Sequence, residues 1–125
     1  MLGRDEILGA KDLKTKDVKV PEWGGTVRVK TMTGPERGKF EEKAFVDGKT
    51  DFSTFRQRLI AMTVCDEDGK LIFTEADIAA LGNKSAKALD RVFAAAQKLN
   101  GLGRDDIEDM VKNSEPIPSN DSASG

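Results

Sequence analysis

Without a single histidine, the 125-residue chain has neither an imidazole base nor a histidine metal ligand, and its one cysteine cannot build a thiolate zinc site. Cys65 ends the run Ile60-Ala61-Met62-Thr63-Val64-Cys65, where a small buried apolar side chain fits better than a nucleophile. An unpaired cysteine also suits a reducing compartment better than an oxidising one. Long apolar runs are missing too. None approaches the roughly 18 residues needed to span a bilayer, so no transmembrane helix and no membrane partner is expected. The opening Met1-Leu2-Gly3-Arg4-Asp5-Glu6 carries acids where a secretory signal carries bases, and the reading is a soluble cytosolic protein.

A strong charge of one sign is absent as well: 20 basic side chains stand against 22 acidic ones, and the pI is near 5.3. That lacks the basic footprint of a DNA or RNA binder, so nucleic acid is not an expected partner. The charges are nevertheless unevenly placed. Residues 1–60 carry 13 bases and 10 acids, whereas residues 61–125 carry 7 and 12. Leu, Ile, Val and Phe make up 29 of the 125 residues, just enough for a small core in one domain.

The pattern along the chain predicts a mainly helical α+β domain. It consists of an N-terminal β-hairpin packed on a small bundle of about four to five helices. Residues 1–15 form a charged lead-in, in which Ile7, Leu8 and Leu13 either pack a short amphipathic turn onto the body or stay loose. Residues 16–113 make the domain. Val18 and Val20, then Val27 and Val29, alternate with polar residues in the period of two strands. Pro21-Glu22-Trp23-Gly24-Gly25 reverses the chain between them as a five-residue loop, and the valine face must lie on a helix.

Thr33-Gly34-Pro35-Glu36 has the spacing of a capping box, and the helix behind it places Phe40 and Ala44 on one face. The polar turn Asp47-Gly48-Lys49-Thr50 ends that helix. A second helix is predicted from about Asp51 to Val64, with two apolar stripes that put it at the centre of the domain. Leu71-Ile72-Phe73 then reads as a short extended strand. Thr74 and Ser85 are N-cap candidates for two more helices, of which the later, with Leu89, Val92, Phe93, Ala96 and Leu99, has the cleanest stripe. Asn100-Gly101 stops it. Residues 104–112 suit one further short helix, and residues 114–125 are too polar to order themselves.

Catalytic readings fail on spacing. Glu41/Glu42 and Asp105/Asp106 are sequence neighbours, which point about 100° apart on a helix and do not share a site. Asp66-Glu67-Asp68-Gly69-Lys70 offers three acids and a glycine, but the glycine falls at the fourth loop position instead of the sixth of a calcium loop, and Lys70 takes a ligand position. The glycine pairs lack the Lys and Ser/Thr of a phosphate-binding loop. No enzymatic activity, metal or cofactor is therefore expected, and interaction is the remaining function.

The stretch from Asp17 to Arg37, D-V-K-V-P-E-W-G-G-T-V-R-V-K-T-M-T-G-P-E-R, resembles the start of tail assembly chaperones from long-tailed bacteriophages and prophages. There a valine hairpin with a P-x-W-G loop leads into a T-G-x-E-R helix start. The resemblance continues through residues 64–69, 73–78 and 81–85, and closes with Leu99-Asn100-Gly101-Leu102 and Lys112-Asn113-Ser114. It implies a non-enzymatic helper in the bacterial host cytoplasm, absent from the mature virion. Such a helper binds the tape measure protein, keeps it soluble and assists tail tube protein to polymerise around it. A tape measure protein is a very long helical chain whose apolar stripes need cover before assembly.

Many such chaperones also occur as a longer frameshifted product, and this chain is similar either to the short form or to the product of a phage that makes no long one. The alternative from another class is a small structural tail or connector component retained in the virion. Trp23 and Phe40 are candidates for the binding surface, each with a competing place in the core. Glu22, Arg28 and Arg37 complete the candidate set, with ordinary surface charge as the competing reading. The basic first half and acidic second half suggest head-to-tail self-association that weakens with salt.

Overall fold

The computed structural model describes residues 1–46, 49–50 and 53–103. The alternating valines form the hairpin they predict: strand β1 (Thr15–Val20) pairs antiparallel with β2 (Gly25–Lys30), with Val18 opposite Val27 and Val20 opposite Gly25. The connection is one residue shorter than expected, because Gly25 already belongs to β2. Pro21–Trp23 forms a turn of 3-10 helix, and the Gly24 N–H donates to the Pro21 carbonyl at 3.0 Å. Gly24 has φ +71°, a left-handed conformation that glycine adopts without the Cβ clash of other residues.

Among the described residues five α-helices follow or flank this hairpin: α1 (Arg4–Leu8), α2 (Gly34–Ala44), α3 (Phe55–Thr63), α4 (Ile78–Gly82) and α5 (Ala86–Leu99). The caps are those the sequence signals. The Thr33 hydroxyl accepts from the Glu36 N–H while the Glu36 carboxylate accepts from the Thr33 N–H, and the Ser85 hydroxyl accepts from the Ala88 N–H. Thr74 and Asp77 start a 3-10 turn, Glu75–Asp77, that runs into α4. Helix α5 ends in a Schellman motif: Leu102 N–H reaches the Gln97 carbonyl at 2.8 Å and Gly101, at φ +64°, the Lys98 carbonyl at 3.3 Å. Leu102 is thereby delivered, fully buried, into the core.

Helix α5 lies against β1 and β2 on one side and α3 on the other, so a helix does cover the valine face. Helix α3 touches α2, α4, α5 and β2 and buries Phe55, Leu59, Ile60, Ala61 and Thr63, the central placement its two stripes predict. Thr63 meets its buried hydroxyl's need locally, by donating to the Leu59 carbonyl at 2.7 Å. Phe40, Phe45, Phe55 and Phe93 form a chain of edge-on ring contacts with centroids 5.4–6.1 Å apart.

Three expectations need correction. Val64 does not continue the second helix: Val64–Cys65 is strand β5, a third antiparallel strand, with Val64 opposite Val29 and Cys65 opposite Arg28. A β-branched residue serves a helix stripe or a sheet face, and here the free edge of β2 decides. Leu71-Ile72-Phe73 forms no strand beyond a single bridge from Leu71 to Cys65. After α2 the chain does not simply turn, since β3 (Phe45–Val46) and β4 (Lys49–Thr50) pair as a two-residue ladder. The start of the second helix near Asp51, the helix at 104–112 and the tail at 114–125 lie outside the described residues. Of the two readings of the lead-in, the structure forms the turn as α1 but buries none of its residues.

Candidate functional site

The five candidate residues fall at four places. Glu22 and Trp23 share the hairpin turn, Arg28 lies on the outer face of the sheet, Arg37 sits where α2 meets the end of α5, and Phe40 is in the core. Phe40 has no exposed surface and belongs to the packing of the rings.

The three charged candidates are engaged within the chain. Both Glu22 carboxylate oxygens accept from the Arg91 Nε, at 2.9 and 3.2 Å, which ties the turn to α5. Arg28 meets Asp17, directly opposite on β1, through two hydrogen bonds of 2.7 and 3.3 Å. Arg37 pairs with Glu41 one turn along α2 and donates to the Asn100 carbonyl at 3.2 Å.

These partners shift the carboxylates. The Arg28 hydrogen bond holds Asp17 below its ordinary value, and the Arg91 hydrogen bond does the same for Glu22. For Glu36, burial pushes the pKa up, but the Thr33 N–H and Lys30 together outweigh it and the net shift is downward. Groups whose folded pKa is depressed contribute stability that is present above their unfolded pKa and lost as pH falls through the folded value. The melting temperature is therefore expected to fall on acidification below about pH 4. Arg91→Met should make that fall shallower by returning Glu22 to its ordinary range. Thermal melts of both proteins from neutral to acid pH check this, and parallel curves would refute it.

Trp23 keeps 36% of its surface exposed at the tip of the clamped turn. It is therefore not a core residue. A second feature lies away from the hairpin. A groove of about 360 Å3 opens between α2, α3 and residues 71–78, floored by Phe40, Ala61, Met62, Leu71, Phe73 and Ile78 and edged by Lys39 and Lys43.

The acids at 66–68 form a turn: the Asp66 carboxylate accepts from the Asp68 and Lys70 N–H groups at 2.8 and 3.0 Å, and Gly69 has φ +83°. Among the described residues no group of acids, Cys or His is arranged to hold a metal, and no helix is long and apolar enough to cross a membrane. Cys65 is buried, and burial pushes its thiol pKa up, as for an inert core cysteine.

Sequence reasoning missed Asn100, whose side chain accepts from the Met32 N–H at 2.7 Å and donates to the carbonyls of Lys30 and Ala96 at 3.2 and 2.9 Å. The Asn-Gly pair signals a helix end, but nothing in it reveals a strand end 70 residues away.

Comparison with known proteins agrees with this architecture. No curated protein gives a significant match. Among solved structures, that of the bacteriophage HK97 tail assembly chaperone superposes with a TM-score of 0.55 at 21% sequence identity, covering 76% of this chain and 90% of that one. At that identity the likeness speaks for the fold. The family itself is shown by a sequence model of phage tail assembly chaperones that matches residues 8–113, the whole of the predicted domain, and the chain belongs to that family.

Proposed function

We propose that this chaperone binds the tape measure protein in the bacterial host cytoplasm, keeps it soluble, and assists tail tube protein to assemble around it. On this reading it is absent from the finished virion and self-associates along the long helical partner. The observation that carries the proposal is the family membership, which makes tail assembly the setting. Trp23 supplies the surface. It is the only tryptophan of the chain, a third exposed, on a turn clamped to α5 by the Glu22–Arg91 pair. A large aromatic held on a rigid support forms contacts at little entropic cost, which is why tryptophan dominates binding hot spots.

The experiment is co-expression with the tape measure protein of the same phage, with solubility and pull-down as readouts. The partner should become soluble and co-elute. Trp23→Ala should cost about 2 kcal/mol of binding, or ~30-fold, with the melting temperature nearly unchanged. A partner that stays insoluble and unbound overturns the proposal. Detection of the chain in purified particles would instead favour a structural component of the tail or connector.

A further inference from the structure

Among the described residues nothing covers helix α1. Its five residues include none that is buried, and around it Leu2, Ile7, Leu8 and Leu13 are 68, 56, 68 and 58% exposed. So many large aliphatic side chains within thirteen residues make an apolar surface of the kind that marks an interaction site. A single helical turn is also marginal in water unless something covers it. Helix α1 lies almost wholly before the residues matched by the family model, so the family assignment does not account for it.

The groove between α2 and α3 is the complementary feature. Its floor is aliphatic and aromatic, and its volume of about 360 Å3 suits a few side chains rather than a whole domain. Lys39 and Lys43 stand one turn apart on its α2 edge, exposed, and neither is in an ion pair among the described residues. Across the groove Arg58 is already matched by Glu75 at 2.8 Å, so the unmatched charge on the rim at α2 is positive, with Glu42 beside it. Helix α1 carries Asp5 and Glu6 immediately before Ile7 and Leu8, with Arg4 ahead of them. Aliphatic side chains meet an apolar floor, and the exposed Arg4–Asp5 pair, 2.8 Å within α1, exchanges on docking so that Asp5 meets the lysines and Arg4 meets Glu42.

We propose that α1 of one copy docks in the α2–α3 groove of a second copy. Plug and socket are different surfaces of the same chain, so the contact is heterologous and leaves a free plug and a free socket at the two ends, the geometry of a growing row or a ring. The tether is anchored: Lys14 exchanges hydrogen bonds with Thr31 at 2.9 and 3.1 Å, so α1 projects from the sheet on residues 9–13. This inference rests on the self-association proposed above and names the surfaces that produce it.

The test is sedimentation of the full chain alone over a wide concentration range, with no tape measure protein present, so its outcome is independent of partner binding. The unaltered chain should show mass-action growth beyond the monomer. Leu8→Asp changes an exposed side chain and should weaken association roughly tenfold to a hundredfold without altering the melting temperature. Lys39→Glu with Lys43→Glu should weaken it too, and adding Asp5→Lys in the same chain should restore part of the loss. A chain that stays monomeric throughout overturns the proposal. Association that persists in Leu8→Asp, or that ignores the charge reversal on α2, equally overturns the α1–groove contact while leaving self-association by another surface intact.

Discussion

Phe40→Ala is expected to destabilise the domain by about 3–5 kcal/mol, the usual range for removing a fully buried aromatic ring. Phe40 has no exposed surface and meets Phe45 and Phe55 edge-on, with centroids 6.1 and 5.4 Å away. Phe55 in turn leans on Phe93 of α5, so the rings join α2, α3, α5 and the start of β3. Deleting the first ring leaves a void where three elements converge, and none can close it without losing another ring contact. A domain of this size has about 5–15 kcal/mol in total, so the midpoint of thermal unfolding should drop by something on the order of 20 °C. Phe40→Leu keeps most of the volume and should cost only ~1–2 kcal/mol. The pair of variants separates a packing role from a binding role. Phe40→Ala should lose partner capture only as it loses fold, and Phe40→Leu should capture normally. A Phe40→Ala protein with an unchanged melt and selective loss of the partner would contradict the burial described above.

What the sequence reveals is local. The valine alternation, the Thr33–Glu36 box, the Ser85 cap and the stripe of α5 each depend on residues within a few positions of one another, and each forms as read. Val64 shows where such reading stops, because its neighbours suit both a helix and a strand and the choice was made by an edge of β2 more than 30 residues earlier. The candidate site was less legible than the fold for the same reason. Glu22 and Arg37 look like ordinary surface charges until Arg91 and Asn100, some 60 to 70 residues on, are placed beside them. Pairing at that distance leaves no period in the sequence. Exposure does not either: Ile7 and Leu8 have the spacing of a packed turn, and only the fold shows that none of the described residues buries them.

Asn100 provides the second large effect, and one whose pH dependence has a sign of its own. Its amide closes three contacts at once: it accepts from the Met32 N–H and donates to the Lys30 and Ala96 carbonyls, holding the end of β2 against the last turn of α5. Asn100→Ala removes the acceptor from a partly buried N–H and both donors, and should cost about 2–3 kcal/mol. Asn100→Asp keeps the acceptor for Met32 but turns the other end of the side chain from a donor into an anionic oxygen facing two carbonyl oxygens. It also puts negative charge at a helix C-terminus, where the macrodipole opposes it. It should therefore be at least as damaging as the alanine variant near neutral pH, at about 2–4 kcal/mol.

The introduced carboxyl would have a folded pKa raised above its unfolded value. Its penalty therefore shrinks as pH falls through the folded value, because protonation restores a donor. The native carboxylates Asp17, Glu22 and Glu36 run the other way, and their contribution is lost on acidification. The stability gap between Asn100→Asp and the unaltered chain should consequently narrow from pH 7 toward pH 4, while the gap for Asn100→Ala stays constant. Denaturant unfolding of all three proteins with an unchanged slope reads both gaps directly. If the two gaps instead follow the same course with pH, the amide is not donating to those carbonyls, and the joint between β2 and α5 must be held by packing around Met32 and Leu102.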